Sequence, residues 1–115
     1  MDFGFGYLGT ALVMGIAATG SAIGIGAAGQ AAIGAWKKCY MVNKVAPFIL
    51  TVFAGAPLTQ TIYGFLLMQQ MKSANADPAF LLGLGISAGV AMALSAVAQG
   101  KAGAAGADAL AETGK

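Results

Sequence analysis

Histidine is absent from the 115 residues, cysteine occurs once, and formal charge is confined to six lysines and four carboxylates. With no histidine there is no nucleophile with the usual base beside it, and Cys39 alone can build neither an internal disulfide nor a metal cluster. No phosphate loop follows a strand pattern either, so an enzyme is not expected and no catalytic residue or cofactor is assigned. Charge is scarcer still within three stretches. Positions 3–36, 45–71 and 78–100 carry none over 34, 27 and 23 residues, and 58% of the chain is hydrophobic. That composition excludes an ordinary soluble domain, and each stretch exceeds the roughly 20 residues that cross a bilayer as a helix. A cleavable leader does not fit the first stretch, which lacks a basic start and far exceeds the length of a leader's apolar segment.

The expected fold is therefore an all-α membrane protein with three transmembrane helices in a single domain over 1–115. Helix one covers about 5–36, a loop 37–44, helix two about 45–71, a loop 72–78 and helix three about 79–112. Lys37, Lys38 and Lys44 crowd the first loop, whereas Lys72 is balanced by Asp77 in the second. An excess of lysine marks the cytoplasmic side, so the first loop is expected inside and the N-terminus outside a multi-pass cell-membrane protein. Trp36 and Tyr40 then mark the inner interface, and Phe3, Phe5 and Tyr7 the outer one. Cys39 is expected as a reduced thiol on the cytoplasmic loop. A net charge of +2 is accounted for by these loops and calls for no nucleic acid.

What the sequence has in plenty is glycine, 18 residues without a collagen-like period. Gly20, Gly24, Ala28 and Ala32 recur every fourth residue, as do Gly85, Gly89 and Ala93, and such ridges let membrane helices approach backbone to backbone. The stretch 21–35 also aligns without gaps on 95–109, with seven of fifteen residues identical at an offset of 74. Both copies begin Ser-Ala, and both share Gly26/Gly100 and Gly29/Gly103. The repeat runs helix three parallel to helix one and extends it past Lys101. It also implies a fourth helix near 120–146, so a longer chain is expected. Lys101 is expected to snorkel toward the headgroups, and Asp108 and Glu112 to be solvated at a protruding helix end.

Polar residues interrupt helix two at "APLTQTIYG" (56–64). Thr59, Gln60 and Tyr63 project from adjoining parts of one face. Pro57 has no amide hydrogen, so a carbonyl one turn back loses its helical partner and the backbone bends. Gln60 lies 13 residues after Pro47 and Gln99 lies 13 before Glu112. At about 1.5 Å per residue that sets both glutamines roughly 20 Å from the cytoplasmic helix ends, at one level. Oxygens so gathered suit a hard cation. A carboxylate is still wanted, and none lies at that depth. Each residue also has a plainer reading: Thr59 back-bonding to a carbonyl, the glutamines bonding between helices, Tyr63 reaching to the interface.

"PLTQTIYG" in a second helix and "AQGKAGAAG" in a third resemble the K subunit, or proteolipid, of V/A-type rotary ATPases, the sixteen-kilodalton class of two fused hairpins. The resemblance covers the whole chain and corresponds to the first three of that family's four helices. It implies a sodium site made by Thr59, Gln60 and Gln99, with the Ala56 carbonyl as a weaker ligand. Tyr63 and Pro57 would support it, and a glutamate would come from the fourth helix. Leu58 stands where the repeat would put a carboxylate. The implied function is that of a non-catalytic rotor-ring subunit, carrying Na+ (or H+) across the membrane coupled to ATP hydrolysis or synthesis on other subunits. Implied partners are further copies in a homo-oligomeric ring, a stator membrane subunit with half-channels, a central-stalk subunit at the cytoplasmic loops, and the lipid bilayer. Two glutamines, a threonine and a free carbonyl look more like a sodium shell than a proton site. A small pore-forming or transport protein, or a structural three-helix fragment without its own ion site, are the alternative readings.

Overall fold

A computed structural model describes residues 4–114, so Met1, Asp2 and Phe3, which the sequence sets at the outer end, lie outside the described residues. Among those described there are four α-helices and no strand: α1 (Phe5–Met41), α2 (Ile49–Gly55), α3 (Thr59–Ser73) and α4 (Pro78–Thr113). A single 3-10 turn, Ala56–Leu58, joins α2 to α3, so the two act as one interrupted span. Three helical units are thus long and apolar enough to cross a membrane. In hydrocarbon a helix satisfies every backbone group from within its own segment, which is why sequences so rich in glycine remain helical there. The molecule is 62 Å long and 18 by 17 Å across. That length exceeds the roughly 40–45 Å of a bilayer with its headgroups.

The helix ends are set by local chemistry. α1 runs past the expected end at Trp36 to Met41 and stops at Asn43, whose φ of 58° is left-handed. Asn43 N–H then donates to Tyr40 O at 3.2 Å and Lys44 N–H to Cys39 O at 2.8 Å. This paired closure satisfies carbonyls of the last turn, and asparagine tolerates the conformation. Cys39 is therefore a buried helical residue and not a loop thiol, 3% exposed. The second span begins at Ile49, later than the expected 45, after an irregular stretch leading through Pro47. At the other end of the molecule Asp77 caps α4 by accepting the Ala79 N–H at 2.9 Å, with Pro78 opening the helix. A carboxylate at this position answers unpaired amides that the first turn leaves.

α1 and α4 lie parallel and in intimate contact along the two ridges. Gly20, Gly24, Ala28 and Ala32 are all buried, and so are Gly85 and Gly89. A Cβ added at Gly20 would strike the backbone of Ala93, one at Gly85 the backbone of Gly9, and one at Gly100 the backbone of Gly24. The pairing climbs both helices in the same direction, as the repeat requires. The α2–α3 span packs across this pair. Ala32, Ala35, Leu50 and Ala107 form an apolar cluster at the lysine-rich end, and Val13, Met71 and Leu81 another toward the opposite end. The break in the second span falls between them.

Asp108 and Glu112 are not free at the end of α4. Both accept from Lys38 Nζ of α1, at 2.8 and 3.0 Å, which ties the two parallel helices together where they project. Both carboxylates are solvent-exposed, as expected, and are paired in addition because α1 continues as helix long enough to bring Lys38 alongside them.

Candidate cation site at the proline break

Proline determines the local path of the second span. Pro57 lacks the hydrogen that would bond the Phe53 carbonyl, and the chain tightens into the 3-10 turn there. The released Phe53 oxygen lies against α4: a Cβ placed on Gly103 would come within 2.8 Å of it. Glycine at 103 thus admits the carbonyl, with its Cα hydrogens turned toward the oxygen. Pro57 itself is buried, and its own carbonyl accepts from Ser21 Oγ of α1 at 2.7 Å. The bend is therefore held from both sides, by a hydroxyl of α1 and by the groove of α4.

The polar residues that follow turn toward α4. Gln60 is 7% exposed. Its Nε2 donates to Ser95 Oγ at 3.2 Å, and its Oε1 lies 3.1 Å from Thr59 Oγ1. Thr59 Oγ1 also donates to the Ala56 carbonyl at 3.0 Å, the back-bond that the plainer reading anticipates. One hydroxyl hydrogen cannot serve Ala56 O and Gln60 Oε1 together, so two acceptors share one proton. Ser95 and Gln99 are four apart on α4 and hence share a face, about 5–6 Å between Cβ atoms. Gln99 Oε1 is buried and has no hydrogen-bond partner. A buried amide oxygen left without a donor is costly, and its presence asks for a partner that the chain does not supply.

The two glutamines, on α3 and α4, are not at one level. Gln60 meets Ser95, one turn from Gln99 toward the end of the molecule opposite the lysines. The 3-10 turn explains part of the difference: its residues rise about 2.0 Å each, so Gln60 lies farther along than an α-helical count places it. Tyr63 is 55% exposed and Leu58 49%, so both project outward from the same turns. Ser95 is exposed as well and Thr59, Gln99 and Ala56 are half-buried, so the cluster opens on one side. Ser21 and Ser95 were not among the residues singled out from the sequence. The signal for them was there: they open the two copies of the repeat, and both grip the proline turn.

Parallel helices in backbone contact, a proline-broken span laid across them, and a half-buried polar cluster at the break define a helical membrane protein with polar groups gathered at mid-length. The particular likeness is to a rotary-ATPase subunit. The chain is 39% identical over 109 residues to A-type ATP synthase subunit K of Methanocaldococcus jannaschii, across 93% of this chain and 47% of that protein. It therefore spans about half the length of the curated relative it matches. No family model matches the chain. No solved structure matches it. The chain is related to the K subunits of rotary ATPases, the resemblance its motifs carry.

Proposed function

We propose that the chain is a rotor-ring subunit of a V/A-type ATPase or ATP synthase that carries Na+ across the membrane without itself catalysing ATP chemistry. The observation that carries this reading is the buried, partnerless Gln99 Oε1, one helical turn along α4 from the Ser95 that meets Gln60. In this reading Gln99 Oε1, Gln60 Oε1 and Thr59 Oγ1 are ligands to the cation. The Thr59 hydroxyl donates its hydrogen bond to the Ala56 carbonyl when the ion arrives. Two oxygens 3.1 Å apart can both reach one ion at roughly 2.4 Å, a distance at which hard cations are held. Pro57 sets the turn, and Tyr63, directed outward, serves whatever closes the open side. The negative charge comes from a carboxylate on a further helix lying against Leu58 and Tyr63. Neutralising that carboxylate with a bound cation is what makes its passage through lipid affordable.

Assembly into a ring is supported by the glycines that do not pack within the chain. Gly15, Gly26, Gly29 and Gly34 of α1 have open space where a Cβ would stand, whereas Gly100 and Gly103, the repeat-mates of Gly26 and Gly29, are pressed against neighbouring backbone. The face that α4 uses toward α1 is repeated on α1 and left uncovered. A second copy of the chain, offering its own α4, would cover it. A contact of this kind is head-to-tail and closes into a ring when the rotation allows. Outside the ring, the partners are a stator subunit that admits and removes the ion and a central stalk docked at the lysine-rich end, which this reading sets in the cytoplasm.

The test is carbodiimide labelling of the assembled membrane complex at alkaline pH. Millimolar sodium is expected to protect the ring from modification. Labelling that ignores sodium would leave a proton as the transported ion.

A further inference from the structure

Gln60 presents an amide whose two ends differ: an oxygen with lone pairs and a nitrogen with none to give. Only the oxygen can hold a cation, so the orientation of the amide decides whether the site exists. The oxygen faces Thr59 Oγ1 at 3.1 Å and the nitrogen donates to Ser95 Oγ at 3.2 Å. When the Thr59 hydroxyl donates to the Ala56 carbonyl, Thr59 and Gln60 present lone pairs to each other. That arrangement is unfavourable unless a cation sits between them. Turned over, the amide would relieve the repulsion by donating to Thr59, and the oxygen would leave the site.

Resting on the ion-carrying reading above, we propose that Ser95 is a positioning residue: its hydroxyl accepts the Gln60 Nε2 hydrogen, so that the amide can turn Oε1 to Thr59 and the ion without leaving its nitrogen unpaired. Ser95 does not touch the cation. Its repeat-mate Ser21 works in the opposite sense, donating to the Pro57 carbonyl at 2.7 Å. The two copies of one repeat position thus hold successive parts of the same turn, Ser21 its backbone and Ser95 its amide.

Equilibrium binding of radioactive sodium to the purified full ring, with the thermal midpoint measured in sodium-free buffer, tests this on Ser95→Ala and Ser95→Thr. Ser95→Ala should lower the sodium-free midpoint somewhat, because Gln60 Nε2 loses its partner, and should in addition weaken sodium binding by about fivefold to tenfold, because the amide can then satisfy its nitrogen only by turning it to Thr59. Ser95→Thr keeps the hydroxyl and should restore the affinity to within about twofold. Wild-type affinity in Ser95→Ala, or a Ser95→Thr ring as weak as Ser95→Ala, would overturn the role of Ser95. A sodium-free midpoint that falls in Ser95→Ala and recovers in Ser95→Thr while the sodium affinity of both stays that of the wild type would reduce Ser95 to a structural hydrogen bond. A wild-type ring that binds no sodium sinks the ion reading itself, and does so before either variant is compared.

Discussion

Gln60 and Gln99 make unlike demands on their surroundings. Gln60 has a partner at each end of its amide, whereas the oxygen of Gln99 is buried with none. An orphaned acceptor contributes nothing to the empty protein, and replacing it with carbon of similar shape is close to neutral or stabilising. Gln99→Leu should therefore leave unchanged, or raise, the thermal midpoint of the ring in sodium-free buffer. The stabilisation that sodium confers should vanish in the same variant; at a hundred times the dissociation constant it amounts to about 2.7 kcal/mol per site in the wild type. If Gln99 were simply an interhelical hydrogen-bonding residue, the variant would melt lower with and without sodium, and calorimetry separates the two outcomes. The residue scale was partly open to sequence reasoning. Thr59, Gln60 and Gln99 stand out because polar groups are rare in an uncharged run. Ser95 does not, because serine is common among small residues and only the fold shows which amide it meets.

For the helices, the decisive quantity is the distance between α1 and α4. The four-residue spacing of small residues is plain in the sequence, and the offset of 74 makes the two helices parallel neighbours. The ridges were legible for that reason. Helix ends were not, since the Asn43 closure and the Asp77 cap depend on one residue's backbone angle or one side chain's bond. The 3-10 turn was foreseen only as a bend, so Gln60 was set level with Gln99 and not with Ser95. Close approach carries its own prediction. In Gly20→Ala the added methyl meets the Ala93 backbone, which cannot swing aside as a side chain can, and the helices must separate. The loss should be about 1–3 kcal/mol by denaturant or thermal unfolding in detergent. Gly83, also on α4, has nothing within 4 Å of a new Cβ, so Gly83→Ala should be neutral or should gain up to about 1 kcal/mol from helix propensity. Equal effects at both positions would mean that the glycine ridge is not what sets the helix spacing.

At the scale of the whole molecule, one chain leaves two surfaces unfinished: the open side of the polar cluster, and the α1 face bearing Gly26 and Gly29. A bulky side chain on that α1 face meets nothing within the chain, so Gly26→Leu should preserve the helical content of the single subunit yet prevent ring formation. Native mass spectrometry should find small species in place of a closed ring, whereas an intact ring would place the interface elsewhere. The Lys38 pairs with Asp108 and Glu112 are solvent-exposed, and such bridges stabilise little. Lys38→Met should accordingly leave both the midpoint and the ring unaltered. The want of a carboxylate and the packing against further copies were expected from the sequence, but which small-residue face is left for them was not, because exposure depends on which face α4 takes. Counting sodium ions bound per chain in the isolated wild-type ring tests the central claim most directly. One ion per copy at saturation is predicted, falling to none measurable at the same concentration in Gln99→Leu. No bound sodium in the wild type, or a full complement in the variant, would contradict it.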